Sequence, residues 1–282
     1  MSRTDLAPSQ AGWEARLALT YSAAGFGTRI SRREHFGPLR VQKSFHPEGP
    51  EVCHSLILHP PGGVVGGDRL DIKIDAQANA HALVTTPGAA KWYRSVDLQS
   101  EQKVHLSVAA EASLEWLPQE NIVFSGANTR WLHRVDLASQ ASYVGWDITC
   151  LGRPVSRETF TQGTLRSRTE IFQDGKPLWS DQARIDGGSP LLESPAGWAG
   201  FPVFGTLIFA GAQPPTNLLE ACRTVCGEAD SRTGVTVLPQ LLVARYLGRS
   251  TEKARAYFLA LWHLIRPAML DRAVCAPRIW HT

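Results

Sequence analysis

From Arg69 to Asp75 the chain alternates without a fault: Leu70, Ile72 and Ile74 fall on one side, and Arg69, Asp71, Lys73 and Asp75 on the other. A period of two puts an apolar row on one face of a strand and a charged row on the opposite face, which a helix of 3.6 residues per turn cannot do. The period recurs at Ala15, Leu17, Leu19 and Tyr21, over Ala80–Thr86, and at Val104, Leu106 and Val108. Thr28–Glu34 reads as a polar, basic strand or edge, and Val52–Leu58 as a buried strand. Trp131–Leu137, Ser142–Thr149, Leu165–Phe172 and Leu178–Ile185 follow, with turn chemistry at Gly152-Arg153-Pro154, Asp174-Gly175 and Asp186-Gly187-Gly188. No helix is predicted between residues 13 and 212. Short strands at spacings of about ten residues predict an all-β-dominated fold: sandwich, barrel or stacked layers.

Helical signals come late. Residues 216–229 form one candidate, with Thr216 or Asn217 as cap and Leu218, Leu219, Cys222, Val225 and Cys226 on one face. Val235–Leu247 reads as one strand, or as two broken at Pro239. Ser250-Thr251-Glu252-Lys253 is a cap-like start for a helix over 251–269, with Phe258, Leu261, Trp262 and Ile265 apolar. Residues 1–12 are small and polar and read as a disordered leader. With no linker and no fixed-period repeat, 13–282 is expected to be a single domain.

Composition excludes several functions. A formal charge of +3 is too small, and the 29 Lys and Arg too scattered, to mark a nucleic-acid binder. No run approaches the roughly 18 apolar residues of a membrane span. Five widely spread cysteines fit free thiols in a reducing cytoplasm.

The densest motif is His59-Pro60-Pro61-Gly62-Gly63-Val64-Val65-Gly66-Gly67-Asp68-Arg69-Leu70. Four glycines in six positions, Gly62, Gly63, Gly66 and Gly67, demand positive φ or an approach too close for a Cβ. A phosphate loop is ruled out, because Asp68 stands where the lysine would be and a strand follows where a helix is required. Cys222-x3-Cys226 lacks a second ligand pair, and His54 and His59 fall on opposite faces of an extended segment. Gly-x-Ser-x-Gly is absent. Lys91-Trp92-Tyr93-Arg94 suits a partner-protein surface, since Trp, Tyr and Arg dominate interface hot spots. It would suit RNA only if both rings were exposed. Carboxylates such as Glu115 and Glu120 are not placed relative to each other by sequence, so a β-rich hydrolase and an RNA-binding module stay open as alternatives.

The glycine motif closely resembles the UreD (UreH) family of urease accessory proteins. Three further blocks follow in order: Thr85-Thr86-Pro87-Gly88-Ala89-Ala90-Lys91-Trp92-Tyr93-Arg94-Ser95; Leu114-Glu115-Trp116-Leu117-Pro118-Gln119-Glu120; and Trp146-Asp147 with Leu151-Gly152-Arg153. The resemblance implies a cytoplasmic chaperone, not an enzyme, that serves installation of nickel in urease. Its implied partners are apo-urease and the UreF and UreG accessory proteins, with GTP bound by UreG and no cofactor tightly bound here. It also implies an elongated fold of stacked β-sheets with two C-terminal-region helices.

A chain that hands on Ni²⁺ must bind it weakly, through carboxylates and waters rather than a closed cage. On that resemblance Asp68, Glu120, Asp147 and Glu170 are the candidates for a transient path. Lys91, Tyr93, Arg94, Arg153, Trp262 and Trp280, with the four glycines, are expected to organise loops or contact partners, the Trp280 tail and the last helix docking UreF.

Overall fold

A computed structural model describes residues 12–281 apart from Phe26, Val96 and Glu228. Apart from Gly12, the leader read from sequence lies outside the described residues. Two strand ladders carry the architecture. In the first sheet β1 (Glu14–Ala24), β5 (Arg69–Ala76), β8 (Ser100–Val108), β11 (Asn128–Leu137) and β13 (Thr164–Gln173) lie parallel. Antiparallel partners β2 (Gly27–Phe36) and β14 (Lys176–Asp186) close its ends. In the second sheet β4 (Val52–Leu58), β6 (His81–Thr85), β9 (Ser113–Trp116) and β12 (Ser142–Leu151) are parallel. β15 (Val203–Ala210), β17 (Leu241–Gly248) and β16 (Arg232–Leu238) extend that sheet antiparallel, and β3 (Arg40–Val41) flanks β4. Two short strands, β7 (Ala90–Trp92) and β10 (Asn121–Val123), pair with each other, and β10 also with β12.

The chain therefore winds as a coil, each turn visiting both sheets. Val52 lies beside His81, His81 beside Ser113, and Ser113 beside Ser142, steps of 29, 32 and 29 residues. Sequence reading finds no repeat because the corner loops differ in length, so the turns share register without sharing a period.

Strand patterns follow from what each face meets. In β5 the apolar row is buried and the charged row faces water, the pattern of a half-solvated sheet. β6 is buried at every position, because helices cover the outer face of the second sheet. Two cores result. Leu17, Leu19, Ile72, Ile74, Leu106 and Val135 of the first sheet meet Val84, Leu114 and Tyr143 of the second. On the far side of the second sheet Leu83, Val144, Trp146, Phe209 and Leu242 pack against α1 (Thr216–Thr224) and α2 (Thr251–Leu270).

The long helix starts as the sequence suggests, with the Ser250 hydroxyl accepting the Lys253 N–H. It continues past Pro267 to Leu270 and buries Phe258, Leu261, Trp262 and Ile265. At about 1.5–3 kcal/mol per buried side chain, that face is the main reason the helix stays on the sheet. The first helix is shorter than predicted. It ends at Thr224, its cap position is Pro215 without a side-chain bond, and Cys226 lies beyond it, exposed. The Val235–Leu247 stretch divides into β16 and β17 around Pro239 and Gln240, the latter at φ 61°.

Candidate functional site

The motif residues stack on one another at a single corner of the coil. Val64 bridges Trp92, Trp92 pairs with Val123, and Val123 with Leu151, so the residues that follow them form a column. Tyr93 and Phe124 meet edge to face at 4.8 Å, and the Arg153 guanidinium lies 4.5 Å from the Phe124 ring centre. The glycines make this close stacking feasible. A Cβ at Gly63 would stand 2.2 Å from the Tyr93 ring, and one at Gly66 2.0 Å from the Ser95 hydroxyl. Gly62 and Gly67 instead supply φ of 75° and 90°. Asp68 locks the turn: its carboxylate accepts the Val65 N–H at 2.9 Å and the Trp13 N–H at 2.8 Å, which ties β1 to the corner.

Just inside the column a cavity of about 700 Å³ runs along the coil between the sheets. It extends from Ile57, His59 and Leu70 past Trp116, Trp131 and His133 to Asp147, Thr206, Asp181 and Arg245. Arg245 bonds Asp181 across the two sheets at 2.7 Å. Asp147 is half-buried and its carboxyl group has no hydrogen bond or ion pair among the described residues; desolvation pushes that carboxyl up to about 7, only partly offset by Arg245. His133, whose Nε2 is 3.1 Å from the Tyr143 hydroxyl, is held down to about 4 by burial and is neutral at pH 7. Trp131 Nε1 and Thr149 Oγ1, on two lining residues, are buried without a protein partner among the described residues. Such atoms ordinarily have one.

On the helix side of the second sheet lies a buried charge chain. Glu115, fully buried on β9, receives Trp262 Nε1–H at 2.7 Å, Arg266 Nε–H at 3.0 Å, and stands 2.8 Å from His81 Nε2. Arg266, also fully buried, reaches Glu48 at 2.8 Å and the Ala273 carbonyl, and Glu48 is 2.6 Å from His54. Burial opposes ionisation of both carboxyls, yet the bonds from His54 and Arg266 hold Glu48 down to about 2, and those from His81, Arg266 and Trp262 hold Glu115 below its ordinary range. Trp280 joins this layer, 5.7 Å from Trp146 and 5.9 Å from Trp262.

The fourteen residues singled out from sequence thus scatter over the corner, the cavity, the helix-side layer and the solvent face of β13. The four glycines, Tyr93 and Arg153 build the corner, where Lys91 and Arg94 are exposed. Of the four carboxylates only Asp147 lines the cavity. Asp68 spends both oxygens on backbone N–H groups, Glu120 pairs with Arg255 at 2.8 Å, and Glu170 pairs with Arg168 at 2.6 Å on the solvent face of β13. Trp262 is wholly buried and Trp280 packs on its own chain. Trp92 is buried beneath Trp131, which removes the exposed ring that RNA stacking needs. His133, Phe124, Glu48, His81 and Arg266 were not singled out. A carboxylate amid the apolar Leu114–Leu117 run and an arginine on the apolar face of α2 are the signals that point to a buried pair. Among the described residues no three His, Cys, Asp or Glu side chains gather as a metal centre.

Fold and site together define a β-solenoid scaffold with an interior cavity, its motif residues spent on stacking successive turns. The sequence profile of the family described as UreD urease accessory protein matches residues 14–281. The urease accessory protein UreD of Dechloromonas aromatica (strain RCB) is 45% identical over 285 residues, covering 100% of this chain and 98% of its own. That of Nitrosococcus oceani is 49% identical, with 100% and 94% covered, and that of Azoarcus sp. (strain BH72) 46%, with 97% and 96% covered. The chain belongs to the UreD family of urease accessory proteins, a chaperone-type family and not a family of enzymes. Among the described residues no helix is long and apolar enough to cross a membrane.

Proposed function

We propose that this chain is a cytoplasmic scaffold for nickel insertion into urease. It binds apo-urease and the UreF–UreG complex, and passes Ni²⁺ along the interior cavity. The observation that carries this reading is Asp147: a half-buried carboxyl group without a side-chain partner, on a cavity of about 700 Å³ that runs between the sheets from Ile57 and Leu70 to Asp181 and Arg245. Nickel favours imidazole, carboxylate and water oxygen. A single carboxyl that the ion must first deprotonate, in the same cavity as the neutral His133 imidazole, would detain the ion without trapping it. The proposal gives no ion to Asp68, Glu120 or Glu170, which do not line the cavity: Asp68 has both oxygens on backbone N–H groups, and Glu120 and Glu170 each hold an arginine.

The test is nickel content of urease matured with the Asp147→Asn protein in the assembled complex. A fall in nickel per active site, with complex assembly intact, supports the path. Wild-type loading removes it, and Asp68→Ala as comparison separates a lost path from a weakened fold.

A further inference from the structure

The interior cavity meets the outside at Arg245. Trp198, Phe204, Thr206 and Arg245 line the cavity and also a groove open to solvent. Exposure rises along one row of the second sheet: Asp147 lies beside Thr206, and Thr206 beside Arg245, on β12, β15 and β17. Thr206 is only 9% exposed, whereas the Arg245 side chain is 51% exposed.

Among the described residues the Arg245 guanidinium has one hydrogen-bond partner. It donates across the gap to Asp181 of β14, in the other sheet, at 2.7 Å, and its centre lies 5.8 Å from the Trp179 ring. So placed, it bridges the two sheets where the cavity ends. An arginine carries five N–H donors, most of them unspent here, and an ion pair this exposed is weakly held. A second carboxyl stands in the same row. Asp147 is two strands away, about 10 Å between Cα atoms at the usual spacing, and its carboxyl group has no partner of its own among the described residues. It senses both groups, since the field of Arg245 favours its ionised form and that of Asp181 opposes it. One guanidinium therefore faces two carboxyls and holds one of them.

We propose that Arg245 is a gate at this end of the cavity, with two settings. Paired with Asp181 it closes the mouth and leaves the Asp147 carboxylate to a cation. Paired with Asp147 it opens the mouth and takes that carboxylate from the cation, so that opening and release are one movement. The gate rests on the conduit reading above and supplies its regulation.

The test puts a thiol behind the gate. Thr206→Cys is made in the full chain, without metal, and its alkylation by iodoacetamide is timed peptide by peptide. In that background Asp181→Asn leaves Asp147 as the partner of Arg245, and alkylation quickens several-fold. Asp147→Asn leaves Asp181 as the partner, and alkylation slows. Loss of a nearby carboxylate by itself raises the thiolate fraction in both variants, so slowing in the second does not come from thiol chemistry. Exposed Cys226 and fully buried Cys222 report in the same digest that the fold is unchanged. Rates that move the same way in the two variants, or stay at the parent value, overturn the gate. No nickel enters these measurements, so they leave the conduit to be judged by its own loading assay.

Discussion

Trp280 donates its indole N–H to the hydroxyl of Thr85, 2.9 Å away and 195 positions earlier in the chain. The tail is thereby a structural closure, wedged against Trp146 and Trp262. Trp280→Ala should destabilise the protein by about 2–3 kcal/mol, somewhat less than a wholly buried tryptophan costs. In a chain of this size that lowers Tm by about 3–5 °C. Differential scanning calorimetry checks it. An unchanged Tm combined with weakened UreF binding would return the residue to the partner-docking role expected from sequence.

The buried chain through Arg266 makes a sharper demand. Glu115→Gln leaves a fully buried guanidinium short of its counter-charge and should cost about 3–5 kcal/mol. Glu48 and Glu115 are both held below their ordinary range, so their contribution is complete above about pH 4.5 and falls in acid, that of Glu48 being lost as pH approaches about 2. Thermal melts across that window should show a steep acid limb that Glu48→Gln flattens.

At the corner, Gly63→Ala drives a methyl into the Tyr93 ring and should cost about 1–3 kcal/mol as overpacking. Tyr93→Ala removes the ring, so the double variant should be more stable than the two single losses predict when added. The Lys91 carbonyl, 2.9 Å from the same Cβ, keeps the rescue incomplete. Denaturant melts of the four proteins give the coupling energy, and simple additivity would mean that the ring is not what excludes the methyl.

Asp147 runs opposite in pH to the buried glutamates. Its folded form keeps a proton to about pH 7, while the unfolded chain releases it near 3.8, so wild-type stability falls as pH rises between these values. Asp147→Asn has no such proton to lose. Its stability relative to wild type should grow from pH 4 to pH 7 and then level off. Paired melts at pH 4, 6 and 8 are sufficient, and parallel curves would show a normal carboxyl.

How far the sequence foretold this structure depends on the range of the force involved. Strand positions such as Leu70, Ile72 and Ile74 were legible because burial of alternate residues is a local pattern. The Ser250 cap was legible for the same reason. The four glycines were correctly read as needing positive φ or close approach, but which needed which depended on Tyr93 and Ser95, some thirty residues on. The coil itself was hidden, because its turns match in space through registers such as His81 beside Ser113 and not through a fixed period. Asp68 and Asp147 look alike in sequence. One is consumed by two backbone N–H groups and the other left facing a cavity, a difference created by packing alone.

The helical cover over the second sheet carries a consequence for synthesis. The residues Val144, Trp146 and Phe209 are all in place once β15 has been made, but α2 and the Trp280 segment that cover them come later in the chain. At 5–20 residues per second the nascent chain holds that apolar face bare for several seconds. In that interval it is open to wrong contacts or to a protecting one, so the timing of translation beyond β15 becomes part of how this protein reaches its native state.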